Sequence, residues 1–130
     1  MDDFLWDLTG VSITNFRFPG GSSTTLCDDA IKTGIMEKAQ ELGLTYYDWN
    51  IDSRDAEARQ VDAKRITDSV ITTAKANGVV LMHDSNTKDS TVEALPDLID
   101  KLREDGYAFG TINATRNNPC QHKKPEPPAA

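Results

Sequence analysis

The chain has 130 residues, with 14 Lys or Arg against 21 Asp or Glu and a formal net charge of −7, a length that limits it to one compact domain. Apolar residues make up 38% and aromatics 7%, enough for a modest core, and no apolar run approaches the roughly 20 residues a membrane-spanning helix needs. The acidic balance argues against a nucleic-acid or anionic-membrane partner, because phosphate binding needs several basic contacts on one face; the basic pair Lys123 and Lys124 sits in a Pro-rich tail.

Met1-Asp2-Asp3-Phe4-Leu5-Trp6 lacks the basic n-region and apolar h-region of a secretory signal, so no export address is expected in the chain as written. Asn15-Phe16-Arg17-Phe18 reads as a short strand, ended by Pro19-Gly20-Gly21, since proline cannot continue a ladder and glycine permits a sharp turn. A helix is predicted over 28–42, with Ile31, Ile35, Ala39 and Leu42 on one apolar face and Gly43 as its stop. Residues 44–49 form the next predicted strand. After a charged loop, Ile66, Val70 and Ala74 mark a second helix that ends by Gly78. Val79-Val80-Leu81-Met82 is uniformly apolar, the pattern of a strand buried on both faces.

A third helix is expected from about Thr91, carrying Leu95, Leu98, Ile99 and Leu102 and stopping at Gly106; Pro96 should kink it or mark where its main body begins. Residues 107–112 read as the last strand. From 113 to 130 the chain is polar and rich in Pro, Asn and Lys, and is expected to be a disordered tail, with His122 solvated. Cys27 and Cys120 are far apart, form no CxxC or Cys/His ligand spacing, and are not expected to pair. Strand and helix in alternation define an α/β fold of about four parallel strands and three helices.

In such sheets the site lies in the loops at the carboxyl ends of the strands. Those ends carry Phe16-Arg17-Phe18-Pro19-Gly20-Gly21, Asp48-Trp49-Asn50-Ile51-Asp52-Ser53-Arg54-Asp55 and Leu81-Met82-His83-Asp84. Arg17 points either into the site or to solvent. Trp49 either offers a flat apolar platform for a sugar ring or packs as core. His83 ends a buried strand, and parallel pairing brings the preceding loop's Asp55 alongside. A carboxylate contact favours a protonated imidazole, which suits a general acid; the bland alternative is a histidine satisfied by a backbone carbonyl. Neither Gly-x-Ser-x-Gly nor His-Glu-x-x-His occurs, so no recognised serine-hydrolase or zinc motif is present.

Together the three strand ends resemble the polysaccharide deacetylases, the fourth family of carbohydrate esterases, and most closely the bacterial peptidoglycan N-acetyl deacetylases. The resemblance spans roughly residues 5–112 and includes Tyr47-Asp48-Trp49-Asn50 and Ala94-Leu95-Pro96 through Gly106-Tyr107-Ala108-Phe109. It implies a catalytic domain portion over 1–112 and a tail over 113–130, folded as part of a distorted (β/α) barrel. The family has five ordered motifs, and this chain matches the third, fourth and fifth. On that resemblance Arg17 orients the family's catalytic aspartate, Asp55 tunes the catalytic histidine, and His83 protonates the departing amine. Trp49, Leu81 and Pro19 are the implied substrate-binding positions, Trp49 walling the groove and Leu81 lining the acetyl-methyl pocket. Gly20 and Ala56 stand where the family often has aromatics, a departure that bears on substrate preference.

The family's first motif, Thr-Phe-Asp-Asp-Gly, and second, His-x-x-x-His, supply the general base and the ligands of a divalent metal, usually zinc, and neither occurs in this sequence. Met1 falls where the segment after the second motif would begin. The resemblance therefore implies the C-terminal portion of a hydrolase acting on an acetylated cell-wall or chitin-like glycan, inactive or nearly so alone. It also implies an extracellular or envelope location, and self-association through an exposed sheet edge on the side of residues 15–18. The alternative is a non-catalytic carbohydrate-binding or structural remnant of the fold.

Overall fold

A computed structural model describes residues 2–113 and 118–122. The elements run α1 (Asp2–Thr9), β1 (Asn15–Phe16), α2 (Asp29–Glu41), β2 (Thr45–Tyr47), β3 (Ile51–Asp52), α3 (Ala63–Thr73), β4 (Val80–Leu81), α4 (Asp89–Glu104) and β5 (Gln121–His122). They divide into two compact units, residues 1–48 with 120–130, and residues 49–119. The class is mixed α/β, as its alternating pattern requires.

In the first unit, β1 and β2 pair in parallel, Asn15 opposite Thr45 and Phe16 opposite Tyr46, with α2 as the crossover. Gly43 takes a left-handed φ of 72° just beyond α2, a conformation that costs a glycine nothing. The core is aromatic: the rings of Phe16, Phe18 and Tyr46 lie 5.1–5.7 Å apart, and Phe18, Tyr46, Tyr47 and Ala39 are buried. The expected apolar face of α2 is otherwise open. Ile31, Ile35 and Leu42 are 53%, 43% and 64% exposed, so periodicity identified a shared face but not a cover for it.

Part of the expected tail is structured. Gln121 and His122 pair antiparallel with Tyr47 and Tyr46. The His122 ring stacks on Tyr46 at 4.6 Å, and its Nε2 meets Asp48 Oδ2 at 2.9 Å. His122 is therefore held on the sheet rather than solvated, and Cys120 beside it is buried. No disulfide joins Cys27 to Cys120. The rest of the tail, 114–117 and 123–130, lies outside the described residues. In sheet order β1-β2-β5, β1 is an edge strand.

In the second unit, β3 and β4 pair in parallel, Ile51 opposite Val80 and Asp52 opposite Leu81, with α3 as crossover. α3 opens on Asp62, whose carboxylate accepts from Arg65 N at 3.2 Å. Its buried Ile66 and Val70 face the Ala94, Leu98 and Leu102 row of α4, with Ile51 completing one cluster and Val61 another. α4 begins two residues before Thr91 and runs through Pro96. Pro96 is on the exposed face, where a carbonyl freed of its helical partner can be hydrated.

Two expectations fail here. Residues 107–112 form no strand: Phe109 is 57% exposed, and its ring lies under the Arg103 guanidinium at 5.9 Å. β4 is not buried on both faces either, since Leu81 is covered while Val80 is 36% exposed. Val80 lines an apolar cavity of about 450 Å³ shared with Ile51, Leu98, Tyr107 and Phe109. Among the described residues, no helix is long and apolar enough to cross a membrane.

Candidate active site

The second unit builds a histidine–carboxylate pair at the carboxyl ends of its two parallel strands. In-register pairing of β3 with β4 sets the two following loops side by side, and these carry Asp55 and His83. Ser53 and Asp55 are almost wholly buried, at 0% and 1% exposed, and Arg54 between them adopts a left-handed φ of 58°. That backbone turns the chain so that Asp55 faces inward while the Arg54 side chain stays at the surface, paired with Glu57 at 3.6 Å.

The Asp55 carboxylate accepts three hydrogen bonds. His83 Nδ1 lies 2.7 Å from Oδ1, the His83 backbone N–H donates to Oδ2 at 2.7 Å, and Thr91 Oγ1 donates to Oδ2 at 3.0 Å. Burial by itself pushes the Asp55 carboxyl up. The bonds from the His83 ring, the His83 N–H and Thr91, with the charge of His83, outweigh burial and hold it below the ordinary value of 3.8. An ionised carboxylate only accepts, so Nδ1 is the donor and the Asp55 contact fixes both tautomer and ring direction. Nε2 is left without a partner among the described residues, on a side chain 36% exposed. A buried carboxylate orienting a half-exposed imidazole is the arrangement that presents a proton to a bound group.

Leu81, two residues before His83, is buried in β4, and Trp49 is half-buried at the start of this unit. Arg17 and Pro19 belong to the first unit, where both are exposed in the segment after β1. Gly20 and Gly21 follow with φ of 76° and 81°; a Cβ on Gly20 would meet Thr24 Oγ1 at 2.7 Å, so the turn requires glycine there. Ser22 donates its N–H to Asp48 Oδ1 at 2.7 Å and its hydroxyl to Oδ2, which ties the loop after β1 to the end of β2.

Sequence reasoning assigned no role to three residues of these sites: Asp48, which anchors the glycine loop and His122, and Thr91 and Lys88, which hold Asp55. Thr91 is legible in the sequence only as a helix start. Among the described residues no three His, Cys, Asp or Glu side chains converge as a metal-binding group. The described residues thus do not supply the ligand set for the divalent metal that the resemblance implies.

The parallel strand pairs and the Asp55–His83 contact belong to an α/β protein, and comparison with known proteins narrows this. No family model matches the chain. YheN of Bacillus subtilis, named provisionally as a polysaccharide deacetylase, is 36% identical over 118 residues, covering 87% of this chain and 39% of that protein. The peptidoglycan-N-acetylglucosamine deacetylase PgdA of Listeria monocytogenes is 30% identical over 109 residues, covering 84% of this chain and 20% of its own. Among solved structures, the catalytic domain of peptidoglycan N-acetylglucosamine deacetylase from Eubacterium rectale superposes with a TM-score of 0.78 at 31% identity, over 88% of this chain and 55% of that one.

This chain is a homologue of the polysaccharide deacetylases, as its strand-end motifs indicate. It spans about half or less of the length of the relatives it matches.

Proposed function

We propose that the chain is the acid-bearing portion of a polysaccharide deacetylase whose whole protein hydrolyses N-acetyl groups on a peptidoglycan- or chitin-like glycan. The observation that supports this most directly is the Asp55–His83 contact at 2.7 Å, with Nε2 left over for a substrate. Amide hydrolysis breaks the C–N bond between acetyl carbon and sugar nitrogen, and the departing amine is a poor leaving group until it gains a proton. His83 gives that proton from Nε2, while Asp55 holds the ring by Nδ1 and balances the imidazolium charge. Leu81 lines the pocket for the acetyl methyl, Trp49 and Pro19 border the glycan, and Arg17 orients the general-base aspartate supplied by the first motif. On this reading the whole protein folds as a distorted (β/α) barrel and works in the cell envelope or outside the cell. The peptidoglycan deacetylase names of the relatives support the reaction and the envelope location.

The base and the metal ligands come from two motifs that this sequence does not contain. Activation of that kind is worth several kcal/mol, so the 130-residue polypeptide alone is inactive or nearly so.

The test is acetate release from N-acetylglucosamine oligomers. The chain alone, with zinc added, is expected to release none above background. Fused behind the N-terminal half of the Eubacterium rectale domain, it is expected to turn over. His83→Gln in that fusion should then lower kcat by about 10²–10⁴-fold, the usual contribution of a general acid. Metal-dependent turnover by the chain alone overturns its inactivity. An active fusion indifferent to His83→Gln overturns the role of His83.

A further inference from the structure

Asp55 is held from a side that the strand-end motifs do not include. α4 begins at Asp89, and the residue before it, Lys88, is 9% exposed although it is a lysine. Its Nζ donates to the Asp55 main-chain carbonyl at 2.6 Å and to the Ala58 carbonyl at 2.9 Å. One turn on, Thr91 is 4% exposed and donates its hydroxyl to Asp55 Oδ2 at 3.0 Å. The same helical turn therefore fixes Asp55 twice, by its backbone and by its carboxylate. A buried ammonium is costly unless its protons find acceptors, so the placement of Lys88 against two carbonyls of the 55–58 turn points to a constraint on that turn.

We propose that Thr91 and Lys88 are positioning residues for the Asp55–His83 pair. The proposal rests on the deacetylase reading for its consequence, since that reading makes His83 the group to be aimed. Thr91 and the His83 N–H share Oδ2, which leaves Oδ1 alone to face Nδ1. Without the Thr91 hydroxyl, Oδ2 keeps a single donor, and the carboxylate is free to turn about its Cβ–Cγ bond and offer Nδ1 a poorer acceptor. Lys88 acts one step earlier, by pinning the turn from which Asp55 projects. Among the described residues the charged or titratable groups on Asp55 are His83, from the β4 side, and Lys88, from α4. Its neighbours Arg54 and Glu57 pair with each other at the surface.

Nuclear magnetic resonance on the full chain tests this without needing turnover. In Thr91→Val, of nearly the same shape, the Asp55 carboxyl midpoint should rise toward the ordinary carboxylate range, and the Nδ1–H tautomer of neutral His83 should lose population. Thr91→Ser, which keeps the hydroxyl, should restore both; a merely space-filling Thr91 would leave both unmoved in the valine variant. Should the valine variant not fold, Thr91→Cys, a weaker donor, is expected to give an intermediate rise. In Lys88→Met the amides of Asp55 and Glu57 should lose hydrogen-exchange protection, and Lys88→Arg should retain it.

An unchanged Asp55 midpoint and tautomer without the hydroxyl overturn the role of Thr91. Unchanged exchange in Lys88→Met overturns that of Lys88. The deacetylase reading is decided separately, by acetate release from the fusion, so failure of one is distinguishable from failure of the other.

Discussion

Asp55 grips His83 at two points, the ring Nδ1 and the backbone N–H, each at 2.7 Å, with one carboxylate oxygen on each. The backbone bond fixes where the histidine starts, and the ring bond fixes where it points. This double attachment gives Asp55→Asn a definite outcome. The carboxamide has one acceptor and one donor end, and the Oδ2 position, facing both the His83 N–H and Thr91 Oγ1, requires the acceptor. The amide NH₂ then faces Nδ1, which must accept, so the neutral imidazole switches to the Nε2–H tautomer. Long-range nitrogen–proton correlation spectra should show His83 predominantly Nδ1–H in the native chain and Nε2–H in the variant.

The same carboxylate makes stability depend on acid in a predictable sense. Its folded-state pKa is below the ordinary 3.8, so above that value folded and unfolded chains are both ionised and the full contribution of Asp55 stands. As the pH falls below the ordinary value, the unfolded chain takes up the proton first, and the contribution drains away until it is gone below the folded-state pKa. The urea midpoint of the native chain should therefore fall between about pH 5 and pH 2. Asp55→Asn, with no carboxyl at this position, should show a shallower fall over that window. A slope identical to the native one would mean that other carboxylates carry the acid response.

Removing the acceptor altogether is a harsher change. Asp55→Ala leaves the His83 N–H, Nδ1 and the Thr91 hydroxyl without their shared partner, and the Thr91 hydroxyl is buried. A buried donor left unsatisfied costs about 1–3 kcal/mol, so chemical denaturation should show a loss of at least that size. Asp55→Asn, which keeps an acceptor for two of the three donors, should lose less.

The contact between Asp55 and His83 was within reach of the sequence because parallel strands deliver their following loops to the same edge, and both residues sit just past strand ends. Ile66, Val70, Leu98 and Leu102 were legible for a related reason: two helical faces of matching period in adjacent segments cover each other. Ile31 and Ile35 have the same period but lie open, because periodicity reports which residues share a face and is silent on what packs against it. β5 was invisible in composition, since two polar residues can join a ladder through their backbones alone. Lys88 and Thr91 were invisible because their partners lie 30 to 36 residues earlier in the chain. Only the packing of α4 brings those groups together.

That distinction between shared and covered faces has its own test. Ile66 is fully buried between Val61 and Ala94, and Ile66→Ala should cost about 2–5 kcal/mol as lost transfer energy plus cavity. Ile31, of the same residue type, is 53% exposed on α2, and Ile31→Ala should change stability by no more than about 0.5 kcal/mol. Urea unfolding of the two variants beside the native chain gives both numbers. A large loss at Ile31 would mean that α2 is covered in solution.

Association is the remaining consequence. Strand β1 is a sheet edge, and an edge presents unpaired backbone groups to a second chain. Apolar residues stand open on the same unit at Ile31, Ile35 and Leu42. Edge pairing and apolar contact together favour self-association, so sedimentation velocity should show a species heavier than the monomer that grows with concentration. A lysine at an edge position is the device by which natural sheets discourage such pairing. Asn15→Lys, in β1 beside the half-buried Phe16, should therefore shift the distribution toward monomer while leaving the unfolding free energy of the dilute chain within about 0.5 kcal/mol of native. If association persists unchanged in Asn15→Lys but disappears when Ile31 and Ile35 are both made Ser, the α2 face and not the β1 edge is the surface through which copies meet.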